Sequence, residues 1–117
     1  MTSVSHQNGI TIVELESRYD SLDDASLGQL SQVLLEAASG PQRPRLLLDF
    51  SATRFIGSTF IGLMVRVWKR IRDRDGQMGI CCLAPFCQET LVIARLYDTL
   101  WTPYATREEA LAAMRRA

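Results

Sequence analysis

The sequence is short of the side chains on which catalysis and metal binding most often depend. It holds one histidine, His6, so it has no second imidazole for a metal cluster and no base placed for a histidine-dependent triad. Three cysteines, Cys81, Cys82 and Cys87, are an odd number without a CxxC spacing. They imply neither a disulfide framework nor a metal site and read as small core residues. A P-loop, a metalloprotease helix, a nucleophile elbow and a paired-carboxylate motif are all missing, so the expectation is a chain that is not an enzyme and needs no cofactor. No apolar run approaches the roughly 20 residues that span a bilayer, which argues against direct membrane insertion. The polar start MTSVSHQNG lacks the regions of a secretory signal, so a cytoplasmic location is expected. An excess of charge is missing as well. The 13 basic residues balance 13 acidic ones, which argues against broad electrostatic binding of nucleic acid.

What is present suits one ordinary domain. The 117 residues, 47% apolar and 22% charged, suffice for a single core, and residues 1–117 are expected to form one unit. The Asn8-Gly9 pair predicts a hairpin between Val4–Gln7 and Ile10–Glu16. Leu22, Leu27, Leu30, Val33, Leu34 and Ala37 then recur at helical intervals, with Asp23 and Asp24 suited to a helix start and Gly40 to its end. RLLLDF is a short continuous apolar run, the signature of a central parallel strand covered on both faces. From Thr59 onward, Ile61, Met64, Val65, Trp68 and Ile71 form one stripe and Arg66, Lys69, Arg70, Arg72 and Asp73 the opposite side. QMGICCL predicts another strand, Pro85 opens a helix carrying Leu91, Val92 and Leu96, and WTPYAT is extended. TREEALAAMRR closes the chain as a helix whose Thr106 and Glu109 fit a capping box. This alternation predicts an α/β sandwich: a mixed, mostly parallel sheet of four to five strands with about four helices.

In such sheets functional loops gather at the carboxyl ends of strands. That rule selects SATRFIGSTF, after RLLLDF, and YDSLDD, after ELESR, and it brings Asp20 and Ser58 together if the two strands are neighbours. Ser58 and Thr59 are hydroxyls in an apolar setting. Either they cap the helix they open, or one of them faces outward and serves regulation.

At this point the chain resembles a known family. LLLDFSATRFIGSTFIGLMVRVWKRIRDRDGQMGICCL looks like the core of a STAS domain, the fold of bacterial anti-sigma-factor antagonists. In that pattern an apolar strand ends in Asp, and Asp-Ser-Ser/Thr-Gly opens the next helix. YDSLDDASL and LYDTLWTPYATREEALAAM match the family's earlier acidic loop and its closing segment. The resemblance implies that Ser58 is the serine phosphorylated by a partner kinase, that Thr59 takes the second hydroxyl position, and that Asp20 is the acidic residue of the earlier loop. Gly57 stands where the family usually has Asp, and Phe60 where it has Gly, so one carboxylate is lost and one bulky side chain gained.

The resulting expectation is a binding module in a partner-switching pathway of transcription regulation. Its partners would be an anti-sigma factor with serine kinase activity and a serine phosphatase, and it would be a monomer or weak dimer. The contact surface would comprise Asp20, Gly57, Ser58, Thr59, Phe60 and Ile61. The alternative is a STAS accessory subunit of an ABC-type membrane transporter, without a phosphorylation cycle.

Overall fold

The computed structural model describes residues 3–15, 18–19, 24–39, 43–95 and 101–116. β1 (Ser3–Gln7) and β2 (Ile10–Glu14) form the expected antiparallel hairpin. Asn8 and Gly9 both have positive φ, 53° and 81°, as a two-residue turn of the type favoured by strand twist requires. Glu16, the expected end of that second strand, lies outside the described residues, as do Leu22, Asp23, Gly40 and Leu96. The chain continues through β3 (Arg18–Tyr19), α1 (Asp24–Ala37), β4 (Arg45–Asp49), β5 (Phe55–Ile56) and α2 (Ser58–Asp73). It ends with β6 (Gln77–Cys81), α3 (Pro85–Ile93), β7 (Thr102–Tyr104) and α4 (Arg107–Arg116).

The main sheet has the order β1-β2-β4-β6-β7. Only the β1–β2 pair is antiparallel, and β2, β4, β6 and β7 run parallel. RLLLD lies at the centre, as its unbroken apolar run demands, with Leu46, Leu47 and Leu48 all fully buried. The twofold period of the strands separates two apolar layers. Val13, Leu15, Leu46, Leu48, Met78 and Ile80 face the larger one, which α1 and α2 cover with Leu30, Leu34, Met64, Val67 and Ile71 and to which α3 adds Cys87 and Leu91. Ile10, Ile12, Leu47 and Cys81 face the other, which α4 closes with Ala110 and Met114. At α4 the Thr106 half of the expected capping box forms: the Glu109 amide donates to Thr106 Oγ1 at 3.1 Å. Among the described residues no helix is long and apolar enough to cross a membrane.

Two features differ from the sequence expectation. The buried stripe of α2 is Phe60, Leu63, Met64, Val67 and Ile71, whereas Ile61, Val65 and Trp68 are only partly buried against it. Apolar residues occupy more than half of this helix's circumference, so the 3.6-residue period alone fits either of two adjacent stripes, and the sheet selects one of them. A second, two-stranded sheet also appears, in which β3 and β5 pair in parallel. Strands of two residues carry no period to read.

Candidate functional site

The site is built at the carboxyl edge of the main sheet. β4 ends at Asp49, and its Oδ1 accepts the Ser51 amide at 2.8 Å, while the Thr53 amide donates to the Phe50 carbonyl at 2.8 Å. These bonds turn the chain tightly away from the sheet. Thr53 is buried, and its carbonyl accepts the Cys87 thiol at 3.8 Å, which ties the loop to α3. Burial raises the Cys87 pKa above the usual thiol range, so the group stays protonated and able to donate. β5 follows and leads through Gly57 directly into α2.

Gly57 is the N-cap of α2, extended at φ −112° and ψ 178°, and it offers no side chain to the orphan amides. Its carbonyl accepts the Ile61 amide at 3.1 Å, the first bond of the helix. Ser58 and Thr59 therefore occupy the first two helical positions, and both are exposed. Neither hydroxyl hydrogen-bonds another described residue. The capping role expected of one of them falls to glycine instead. No acidic residue sits in the first turn, and Arg70 and Arg72 sit in the last. The positive end of the helix dipole is thus left uncompensated by its own helix beside two outward hydroxyls.

The expected contact residues divide. Ser58 and Thr59 face solvent, Gly57 and Ile61 are half-buried, and Phe60 is fully buried. Phe60 meets Phe50 edge-to-face with centroids 6.0 Å apart. Its assignment to a contact surface is corrected: it is a core residue, because the third position of the helix already points at the sheet. Asp20 lies outside the described residues. Tyr19, which precedes it, pairs in register with Ile56, two residues before Ser58, and β2 and β4, the strands that the two chosen segments follow, are neighbours in the main sheet.

Two features near Ser58 escaped sequence reading. Phe55 on β5 stacks on Phe86 of α3, centroids 5.4 Å apart, and Phe86 is 50% exposed, with Val92 and Ile93 also exposed on that helix. The Phe55–Phe86 stack joins the loop before α2 to a half-exposed aromatic ring of α3, a juxtaposition that only tertiary structure assembles. Gly62 lies on the exposed face of α2, and a Cβ there would meet nothing within 4 Å.

A STAS domain family model matches residues 2–110. The chain belongs to the STAS domain family. No curated protein matches it. Among solved structures, this STAS domain is similar to an anti-sigma-factor antagonist (STAS) domain protein from Planctomyces limnophilus, at 32% identity and a TM-score of 0.86, covering 97% of each chain. It is also similar to an anti-sigma factor antagonist from Mycobacterium paratuberculosis, at 23% identity and a TM-score of 0.80, covering 98% of this chain and 93% of that one. A third is the Bacillus cell fate determinant SpoIIAA in its phosphorylated form, at 16% identity and a TM-score of 0.73, covering 98% of this chain and 100% of that one.

Proposed function

We propose that this STAS domain is a regulatory binding module of the anti-sigma-factor antagonist type, controlled by reversible phosphorylation of Ser58. The observation that carries the reading is the exposed Ser58 hydroxyl at the first position of α2, with no capping duty and no carboxylate in its own first turn. A helix start supplies unpaired amides and the positive dipole end, so the domain itself can accommodate an anion there. The phosphate brings about −1.5 to −2 charges. A partner packed over Ser58, Thr59 and Ile61 and offering no cation would be expelled, since a differential penalty of about 2.7 kcal/mol already weakens binding roughly a hundredfold. The likeness to antagonists, one of them solved in a phosphorylated form, supports the same role. Unphosphorylated, the domain would dock on an anti-sigma factor with kinase activity; phosphorylated, it would release it, until a phosphatase restores the hydroxyl. The half-exposed Phe86 beside Phe55 extends the docking surface from the loop onto α3.

The test is incubation with bacterial serine kinases and ATP, followed by intact mass and peptide mapping. One added phosphate on Ser58, absent from Ser58→Ala, is expected, with affinity for the anti-sigma partner lost in Ser58→Asp. Stable co-purification with a transporter ATPase, indifferent to Ser58→Asp and without phosphate at Ser58, would overturn the reading in favour of the accessory-subunit role.

A further inference from the structure

A second group of reactive side chains gathers at the same edge of the sheet but on the face that α4 covers. Strand register aligns Glu14, Asp49, Cys81 and Tyr104 in one row across β2, β4, β6 and β7. Asp49 is 4% and Cys81 0% exposed. Strict alternation would send Cys82 to the opposite face. Instead its backbone is left-handed, with φ 63°, and the strand ends there. A carboxylate oxygen of Asp49 and the sulfurs of Cys81 and Cys82 all lie within 4.8 Å of one another. Sequence spacing conceals this set, because adjacent cysteines on a strand point apart and the third ligand is 32 positions upstream.

We propose that Asp49, Cys81 and Cys82 form a binding site for one thiophilic divalent cation of the zinc class. Zinc–sulfur bonds of about 2.3 Å in a tetrahedron set ligand atoms roughly 3.8 Å apart, so side-chain rotation alone can close the group around an ion. The donor set of two sulfurs and one oxygen selects zinc or cadmium over magnesium and calcium, which take oxygen ligands. The carboxylate is already oriented from outside: Oδ1 accepts the Ser51 amide at 2.8 Å and Oδ2 faces the Arg107 guanidinium at 3.5 Å. Outer partners of this kind fix the direction of a ligand and are characteristic of metal centres. Charge is also largely compensated. Two thiolates and a carboxylate carry −3, which the cation's +2 and the Arg107 guanidinium largely offset beside the apolar layer of Ile12, Leu47, Ala110 and Met114, with the more exposed Glu14 carboxylate as the outermost charge. Arg107 is in turn held by Glu14 at 3.3 Å. Before binding, Cys81 is kept protonated, chiefly by burial and then by the Asp49 charge, so the ion enters by displacing thiol protons. Cys82 is only half-buried. It provides the entry side and leaves a fourth position open to water.

The test uses the reduced, tag-free chain titrated with Cd2+, read by the near-ultraviolet thiolate-to-metal charge-transfer band, with Zn2+ as competitor. The expected result is one ion per chain, displaced by zinc. Cys82→Ser should weaken binding by at least the roughly hundredfold that loss of an outer partner alone reaches, and Asp49→Asn should also weaken it. Cys87→Ser, in the opposite layer, should leave it unchanged. Zinc should raise the melting temperature of the natural chain and of Cys87→Ser, but not of Cys82→Ser, whose half-buried position keeps folding intact. Absence of the band, its persistence in Cys82→Ser, or a thermal shift indifferent to that substitution would overturn the assignment.

Discussion

Ser58 and Phe60 are two positions apart in one turn of α2, yet one is exposed and the other 0% exposed against Phe50. Their substitutions should therefore part company in urea unfolding. Phe60→Ala removes a packed ring and is expected to cost about 3 to 5 kcal/mol, whereas Ser58→Ala removes no bond to a described residue and should stay within about 0.5 kcal/mol. Ser58→Asp places a carboxylate at the positive end of the helix and should stabilise the fold by roughly 0.3 to 1 kcal/mol, even as it weakens the proposed docking. Comparable destabilisation by Ser58→Ala and Phe60→Ala would show that the hydroxyl serves the fold. The place of Ser58 at the start of α2 was legible in the sequence, because hydroxyls before an amphipathic run mark a helix start, although the cap itself is Gly57. The burial of Phe60 was not, since the same composition allows two neighbouring stripes and only the sheet beneath decides between them.

Along α2, Gly62 is the one interior position whose chemistry opposes the helix. Glycine there costs about 1 kcal/mol relative to alanine, and no described atom approaches close enough to require it. Gly62→Ala should thus raise stability by roughly 0.5 to 1 kcal/mol, measured by chemical denaturation. If the smooth surface serves close approach of a partner, the same variant should bind the proposed anti-sigma partner more weakly. Unchanged binding would assign Gly62 no part in docking. Long elements with a clear period, such as α1, α2 and α4, were predicted close to their observed limits, and Thr106 marked the start of α4 correctly. β3 and β5 were not, because their order comes from pairing with each other across 37 positions and from the packing of α3 on β5, neither of which leaves a local signal. The Phe55–Phe86 stack and the Asp49–Cys81–Cys82 group were hidden for the same reason: each joins side chains from separate elements.

Across the chain, protection should follow the layers. β4 is buried on both faces at the centre of the sheet, while every residue of β1 is exposed at its edge. Hydrogen exchange read by mass spectrometry should find amides of 45–49 the slowest and those of the 3–7 edge among the fastest. Equal rates in the two strands would contradict the layered core. The alternation of predicted strands and helices was sufficient to give this architecture, since a parallel sheet needs crossovers and the crossovers need apolar faces on both partners. The clamp of Phe60 beneath the first turn has a final consequence for the proposed switch. With that ring packed edge-to-face on Phe50, unwinding the amino end of α2 would expose a buried aromatic side chain, so the proposed switch is expected to work by repainting the outer rim rather than by moving a part.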